Sequence, residues 1–231
     1  MKLKSLIVYL TLILTFTPLG GCRLGSKKSD FRLPDGVQVS KLSGIHEGYS
    51  ERQAEKGYYV FTVNVSAENI PNYFLKLSAL VEEPAFFLLE LGLNESEELN
   101  LRNNETDPFH KAVYYLDGID FKKAETVFRS NERLLVHDGM VNFGFGSHNG
   151  HDEVYVGSYK IFEIYADSPE KYRRKLAELG IPQSKDFRTV WDNFDNDSPG
   201  RRSALSEKTT IWDMLEQMKS EGFYRAETRE D

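Results

Sequence analysis

The densest collection of chemically capable side chains is Ser147-His148-Asn149-Gly150-His151-Asp152-Glu153. Imidazole nitrogens and carboxylate oxygens are what Zn²⁺ or a similar ion binds, and one tight turn would gather His148, His151 and Asp152. A metal held there would activate water and make a metal-assisted hydrolase. The same letters describe a polar hairpin turn with solvated imidazoles, since Asn-Gly between alternating apolar runs is a strong hairpin signal. No Cys or distant His is tied to this loop by spacing.

Other candidate chemistry fails on spacing. Asp192-Asn193-Phe194-Asp195-Asn196-Asp197-Ser198-Pro199-Gly200 invites a calcium loop. Begun at Asp195, an EF-hand would put Pro199 at a ligand position and Ser206 where a bidentate Glu belongs; begun at Asn193, it would end on Ala204. The run reads as a polar, turn-forming loop. His46-Glu47 lacks the second His of a zincin helix. Gly144, Gly146 and Gly150 precede a strand, with Asn149 where a dinucleotide loop has its third glycine. Neither Ser147 nor Ser158 sits in a Gly-x-Ser-x-Gly elbow, and no carboxylate pair stands out for acid and base roles. No catalytic residue and no cofactor is implied.

These residues sit between recognisable elements. Residues 58–65 are β-branched and aromatic and predict a strand. Ser66, Pro71, Phe74, Leu77, Leu80 and Val81 outline a helix that ends before Pro84. Apolar strands follow at 85–91 and 111–116, separated by a polar loop over 94–108, and then a helix from about 121 to 135. Strands over 140–145 and 154–165 flank Asn149-Gly150; a helix runs from Pro169 to Leu179, closed by Gly180 and Pro182. Ile211, Met214, Leu215 and Met218 mark a last helix. The fold expected is α+β, a two-layer sandwich with a mostly antiparallel sheet of about five strands. The order strand, helix, strand, strand, helix, strand suggests the ferredoxin-like βαββαβ arrangement with C-terminal helices added.

Doubled aromatics at Tyr58–Tyr59, Phe86–Phe87 and Tyr114–Tyr115 put one ring on each face of a strand. Core on one face and helix packing or partial exposure on the other is the plain reading. A Tyr-rich face that binds protein, peptide or glycan is the sharper one. Hydrophobic residues at 40% and charged residues at 28% exclude a disordered or fibrous chain. A net charge of −7 disfavours nucleic acid as a partner, and a single Cys in 231 residues excludes a disulfide framework.

That Cys has a telling context. Lys2 and Lys4 precede an apolar run over residues 6–16, with no acid before Asp30. This is the layout of a secretory signal, and the run is short for a membrane span. Leu19-Gly20-Gly21-Cys22 follows and resembles the lipobox of bacterial lipoproteins. The resemblance implies cleavage before Cys22, a diacylglycerol on its thiol and an acylated amino terminus. Each buried methylene contributes about 0.8 kcal/mol, so two or three chains hold a protein at a bilayer. Arg23, not Asp, follows; the resemblance then implies outer-membrane delivery in a diderm and the cell membrane in a monoderm. Residues 1–21 would be removed, taking Lys2 and Lys4 and leaving a net charge of −9. An acidic body stands off an anionic membrane surface. Residues 22–57, rich in Gly and Ser, are expected as lipidated Cys and tether, 58–182 as the core domain, and 183–231 as a polar loop with a C-terminal helix. The expected role is binding, not catalysis, by a membrane-anchored extracytoplasmic lipoprotein with a protein or small-ligand partner. The alternatives are an inhibitor or immunity-type lipoprotein that neutralises a basic toxin or enzyme by charge complementarity, and a hydrolase using His148, His151 and Asp152.

Overall fold

Successive side chains of a strand point to opposite faces of its sheet, and that rule divides inside from outside in this chain. The computed structural model describes residues 31–104 and 106–230; Cys22 and the rest of the leader lie outside them. In chain order the elements are β1 (Val37–Gln38), β2 (Gly48–Gln53), β3 (Tyr59–Asn64), α1 (Ile70–Ser78), β4 (Ala85–Gly92), α2 (Glu95–Leu101), β5 (His110–Ile119), α3 (Phe121–Ser130), α4 (Glu132–His137), β6 (Val141–Ser147), β7 (Glu153–Val156), β8 (Phe162–Ala166), α5 (Pro169–Glu178), β9 (Arg201–Arg202), α6 (Ile211–Ser220) and β10 (Tyr224–Glu230). Eight strands form one sheet in the order β10-β5-β4-β6-β7-β8-β3-β2, with every neighbouring pair antiparallel. β1 and β9 pair separately.

One face of the sheet is the core. Phe61 and Val63 of β3, Phe87, Leu89 and Leu91 of β4, Tyr114 and Leu116 of β5, Phe143 and Phe145 of β6, and Phe162 and Ile164 of β8 are all buried there. Helices cover this face through their apolar stripes: Ile70, Phe74 and Leu77 from α1, Val127 and Phe128 from α3, Tyr172 and Leu176 from α5, and Met214, Leu215 and Met218 from α6. Phe74 sits at the centre, its ring 4.9 Å from both Phe128 and Phe143. Local chemistry places the helix starts. Asp120 accepts from the Lys123 backbone N–H at 2.7 Å, Thr210 and Asp213 form a reciprocal capping box, and Pro169 opens α5.

The α+β class and the mostly antiparallel sheet agree with the sequence expectation; the finer details do not. The main sheet has eight strands, not about five, and its order is not ferredoxin-like. A split βαβ needs its first and third strands as parallel neighbours, whereas β3 lies between β2 and β8, both antiparallel to it. Residues 48–53, expected as tether, form the edge strand β2, hidden from a pattern search because burial there is confined to Gly48 and Tyr49. β10 is exposed along its whole length, so the stretch expected to finish with a helix adds a strand with no apolar period. The single strand expected over 154–165 is two. A turn through Ser158–Lys160 with left-handed backbone at Tyr159 (φ 59°) and Lys160 (φ 58°) folds β8 back onto β7. The helix expected over 121–135 breaks at Asn131, whose side chain donates to the Val127 carbonyl at 2.8 Å, and the loop over 94–108 holds α2, capped by Asn94. Among the described residues no helix is long and apolar enough to cross a membrane.

Candidate functional site: the open face of the sheet

The residues that alternate with the core positions point to the other side of the sheet, and there the chemistry changes. Register places Val60, Tyr165, Glu153, Gly146 and Phe86 in one cross-strand row, and Thr62, Glu163, Tyr155, Gly144, Leu88 and Tyr115 in the next. Tyr115, Tyr155, Tyr165, Glu153, Glu163 and Phe86 are half-buried. The doubled aromatics divide as expected. Phe87 and Tyr114 are in the core, while Phe86 and Tyr115 meet edge-to-face on the open side with centroids 5.2 Å apart.

Two glycines of β6 give these rings room. A methyl on Gly146 would lie 2.5 Å from the Phe86 ring, so the ring can lie over the strand only because no side chain is there. At Gly144 the carboxylate of Glu153 leans inward, 3.4 Å from where a methyl would sit. Across this gap Tyr155 donates its hydroxyl to Glu90 Oε2 at 2.8 Å. Glu90 is fully buried and compensated: Lys111 Nζ lies 3.1 Å from Oε2, Asn142 donates at 3.3 Å, and Arg229 of β10 pairs with Oε1.

Glu153 and Glu163 are treated differently. Among the described residues, no Lys or Arg forms an ion pair with either, while Glu51 pairs with Arg173, Asp152 with Lys171 and Glu98 with His110. Glu163 accepts only the hydroxyl of Tyr165, at 2.7 Å. Burial, with the like charge of Glu163 added, pushes the Glu153 carboxyl up to about 7. Burial likewise raises the phenols of Tyr155 and Tyr165 above their ordinary range, so both stay protonated donors.

Two small cavities open beside these acids. One, of about 250 Å³, is lined by Glu153, Tyr165, Tyr58, Phe86 and His151. The other, of about 240 Å³, is lined by Glu163, Tyr155, Thr62 and the half-exposed Trp191. A larger hollow, about 720 Å³, lies elsewhere, between α2 and β5; of the acids that line it, Glu95 and Glu98, the second is taken by the His110 backbone N–H at 2.6 Å and ring at 3.0 Å.

The sequence-predicted metal residues are not brought together. His148 pairs with Asp117 at 3.2 Å and packs its ring on Phe86. His151 pairs with Asp167 at 2.7 Å and stacks on Tyr58 with centroids 4.8 Å apart. Asp152 is buried, accepts from the Asp167 backbone at 3.1 Å and pairs with Lys171. Each of the three forms its ion pair with a different side chain, although Asp167 bonds both His151 and Asp152, and among the described residues no group of three His, Cys, Asp or Glu could hold a metal ion. The Asp192–Gly200 run is occupied by its own structure: Asp192 accepts from the Thr189 backbone at 2.7 Å, and Asp195 pairs with Lys41 at 2.8 Å.

Sequence reasoning reached Glu153 as part of the hairpin run but passed over Glu163 and Trp191. The signal was present as a repeated triplet, Glu153-Val154-Tyr155 and Glu163-Ile164-Tyr165, an acid and a phenol on one face with an apolar residue between them on the other. Compared with protein-family models, curated proteins and solved structures, the chain matches none.

Proposed function

We propose that this chain is a membrane-anchored, extracytoplasmic lipoprotein that acts by binding, and that the open face of its sheet is where the ligand sits. The leader pattern ending in Cys22 supports the anchor. The face supports the binding role. It carries aromatic rings and hydrogen-bonding acids in half-buried, pre-set positions, where a core-only sheet would carry a covering layer of helices. That juxtaposition carries the reading. The arrangement lacks the gathered ligands that a hydrolase at His148, His151 and Asp152 would require.

Two measurements test it. Intact mass of the native protein should show cleavage before Cys22 and added diacylglycerol, and Cys22→Ser should leave the membrane pellet; an unmodified thiol in membrane-bound material overturns the anchor. Hydrogen exchange in the presence of an envelope extract should slow at β7 and β8 on the open face. Slowing confined to α3 and α6 overturns the binding face.

A further inference from the structure

The two uncompensated acids have a spacing of their own. Glu153 and Glu163 sit diagonally on adjacent antiparallel strands, Glu153 opposite Tyr165 and Glu163 opposite Tyr155. Diagonal neighbours on a sheet face lie roughly 7–8 Å apart. An extended polypeptide projects side chains i and i+2 to the same side about 7 Å apart. Each acid opens into its own cavity, about 250 Å³ at Glu153 and 240 Å³ at Glu163, below the range of a whole small-molecule site and suited to one long side chain. Each cavity also has aromatic walls: Tyr58, Phe86 and Tyr165 in the first, Tyr155 and Trp191 in the second. Rings hold the methylene stem of a basic side chain and attract its charged head, while a carboxylate with no cation of its own completes the pairing.

We propose that the two cavities take two basic side chains, at positions i and i+2 of an extended polypeptide segment laid across the open face, one head against Glu153 and the other against Glu163. The inference rests on the open face being the ligand face. The chain's net charge of −7 favours a basic polypeptide from its first approach. Half-exposed Trp191 at the rim of the second cavity is the residue type that anchors protein interfaces. A cation beside each acid also offsets the repulsion between the two carboxylates when both are ionised. The groups that face Glu153 are Glu163 and Tyr165 from β8, Tyr155 on its own strand, Tyr115 from β5, Tyr58 ahead of β3, and His151 and Asp152 from the turn. Because the Glu153 carboxyl titrates near neutrality, affinity should rise several-fold between pH 6 and 8.

The test is calorimetric titration of the full chain in detergent with the acetylated, amidated pentapeptide Gly-Lys-Ala-Lys-Gly. A norleucine analogue, a spacer variant with the two lysines three apart, and spermidine serve as comparisons. The lysine pentapeptide should bind at least about tenfold more tightly than all three. E153Q and E163Q should each weaken it by about tenfold, and both together should abolish it. In a Trp212→Phe background the emission of Trp191 should shift on binding. Thermal melting of E153Q at or above the parent's Tm shows that lost binding is not lost folding. Equal binding of the norleucine analogue, or indifference to both substitutions, overturns the proposal. Spermidine binding as tightly as the peptide overturns it in favour of a free polyamine. If the pentapeptide fails while an envelope extract still protects β7 and β8, the basic-peptide class falls and the binding face stands; if both fail, both fall.

Discussion

Tyr155 on β7 reaches over β6 to donate its hydroxyl to Glu90 on β4, 2.8 Å away, with Gly144 beneath the crossing. The bond links strands that are not neighbours and ends on a carboxylate with no exposed atoms. Lys111 from β5 and Arg229 from β10 converge on the same group, so a single acid fastens five strands of the sheet, β10, β5, β4, β6 and β7. A buried charge is tolerable when several partners satisfy it, and removing it leaves those partners stranded.

Glu90→Ala should therefore cost about 3–5 kcal/mol, because it removes the acceptor of the Tyr155 hydroxyl and an anion shared by Lys111 and Arg229 together. Arg229→Ala should cost only about 1 kcal/mol, since its side chain is 45% exposed and Lys111 still balances Glu90. The second variant should instead loosen β10, whose residues are all exposed, and speed amide exchange over 224–230. Urea unfolding and hydrogen exchange on both variants check this; equal costs for the two would mean that Glu90 is not the shared anchor.

Gly146→Ala tests how the open face is shaped. A methyl there meets the Phe86 ring at 2.5 Å, and the ring must swing off the strand, losing its edge contact with Tyr115 and its packing against His148. The cost should be about 1–3 kcal/mol, and the cavity beside Glu153 should change shape because Phe86 lines it. A crystal structure of the variant with Phe86 unmoved would contradict this account of the glycine.

The same residues show what the sequence made legible. The doubled aromatics announced rings on both faces, and Phe86, Phe87, Tyr114 and Tyr115 divide between them as alternation requires. Strands and helices with an apolar period were readable because burial writes that period. β2 and β10 were not, since an edge strand held by backbone pairing and surface ions needs no apolar residues. The turn at Tyr159 and Lys160 escaped because non-glycine residues in the left-handed region carry no local signal, and the surrounding fold imposes it. The loop of His148, His151 and Asp152 looked like a site because three ligating residues lie close in sequence. Asp117, Asp167 and Lys171, with which they pair instead, come from other parts of the chain.

Phe74→Ala should be among the most damaging core changes. Its ring touches Phe87, Phe128 and Phe143, so truncation opens a cavity where α1, α3 and the sheet meet. About 3–5 kcal/mol should be lost. A denaturant midpoint shifted by less than 1 kcal/mol equivalent would place the centre of the core elsewhere.

The dependence of stability on pH should carry two opposed signatures. Burial pushes the Glu153 carboxyl up to about 7 from 4.5, so between those values the folded chain keeps a proton that the unfolded chain has released. Stability from this group is fullest below 4.5 and falls as pH rises to 7. Lys160 is buried with its ammonium on the Val141 carbonyl, and burial pushes it down to about 7 from 10.5. Between 7 and 10.5 the unfolded chain holds the extra proton, so stability from this group rises with pH across that window. The two effects meet in a trough near neutrality. Glu153→Gln should remove the acid-side slope and raise stability above neutral pH by about 1–2 kcal/mol, discounted for the part of the carboxyl still in water. Lys160→Met should remove the alkaline rise and leave the acid side unchanged. Denaturant midpoints taken at intervals across the pH range on the parent and both variants decide it: parallel curves would show that neither group is buried in the way described, whereas curves that separate on opposite sides of neutrality would place each charge where the structure has it.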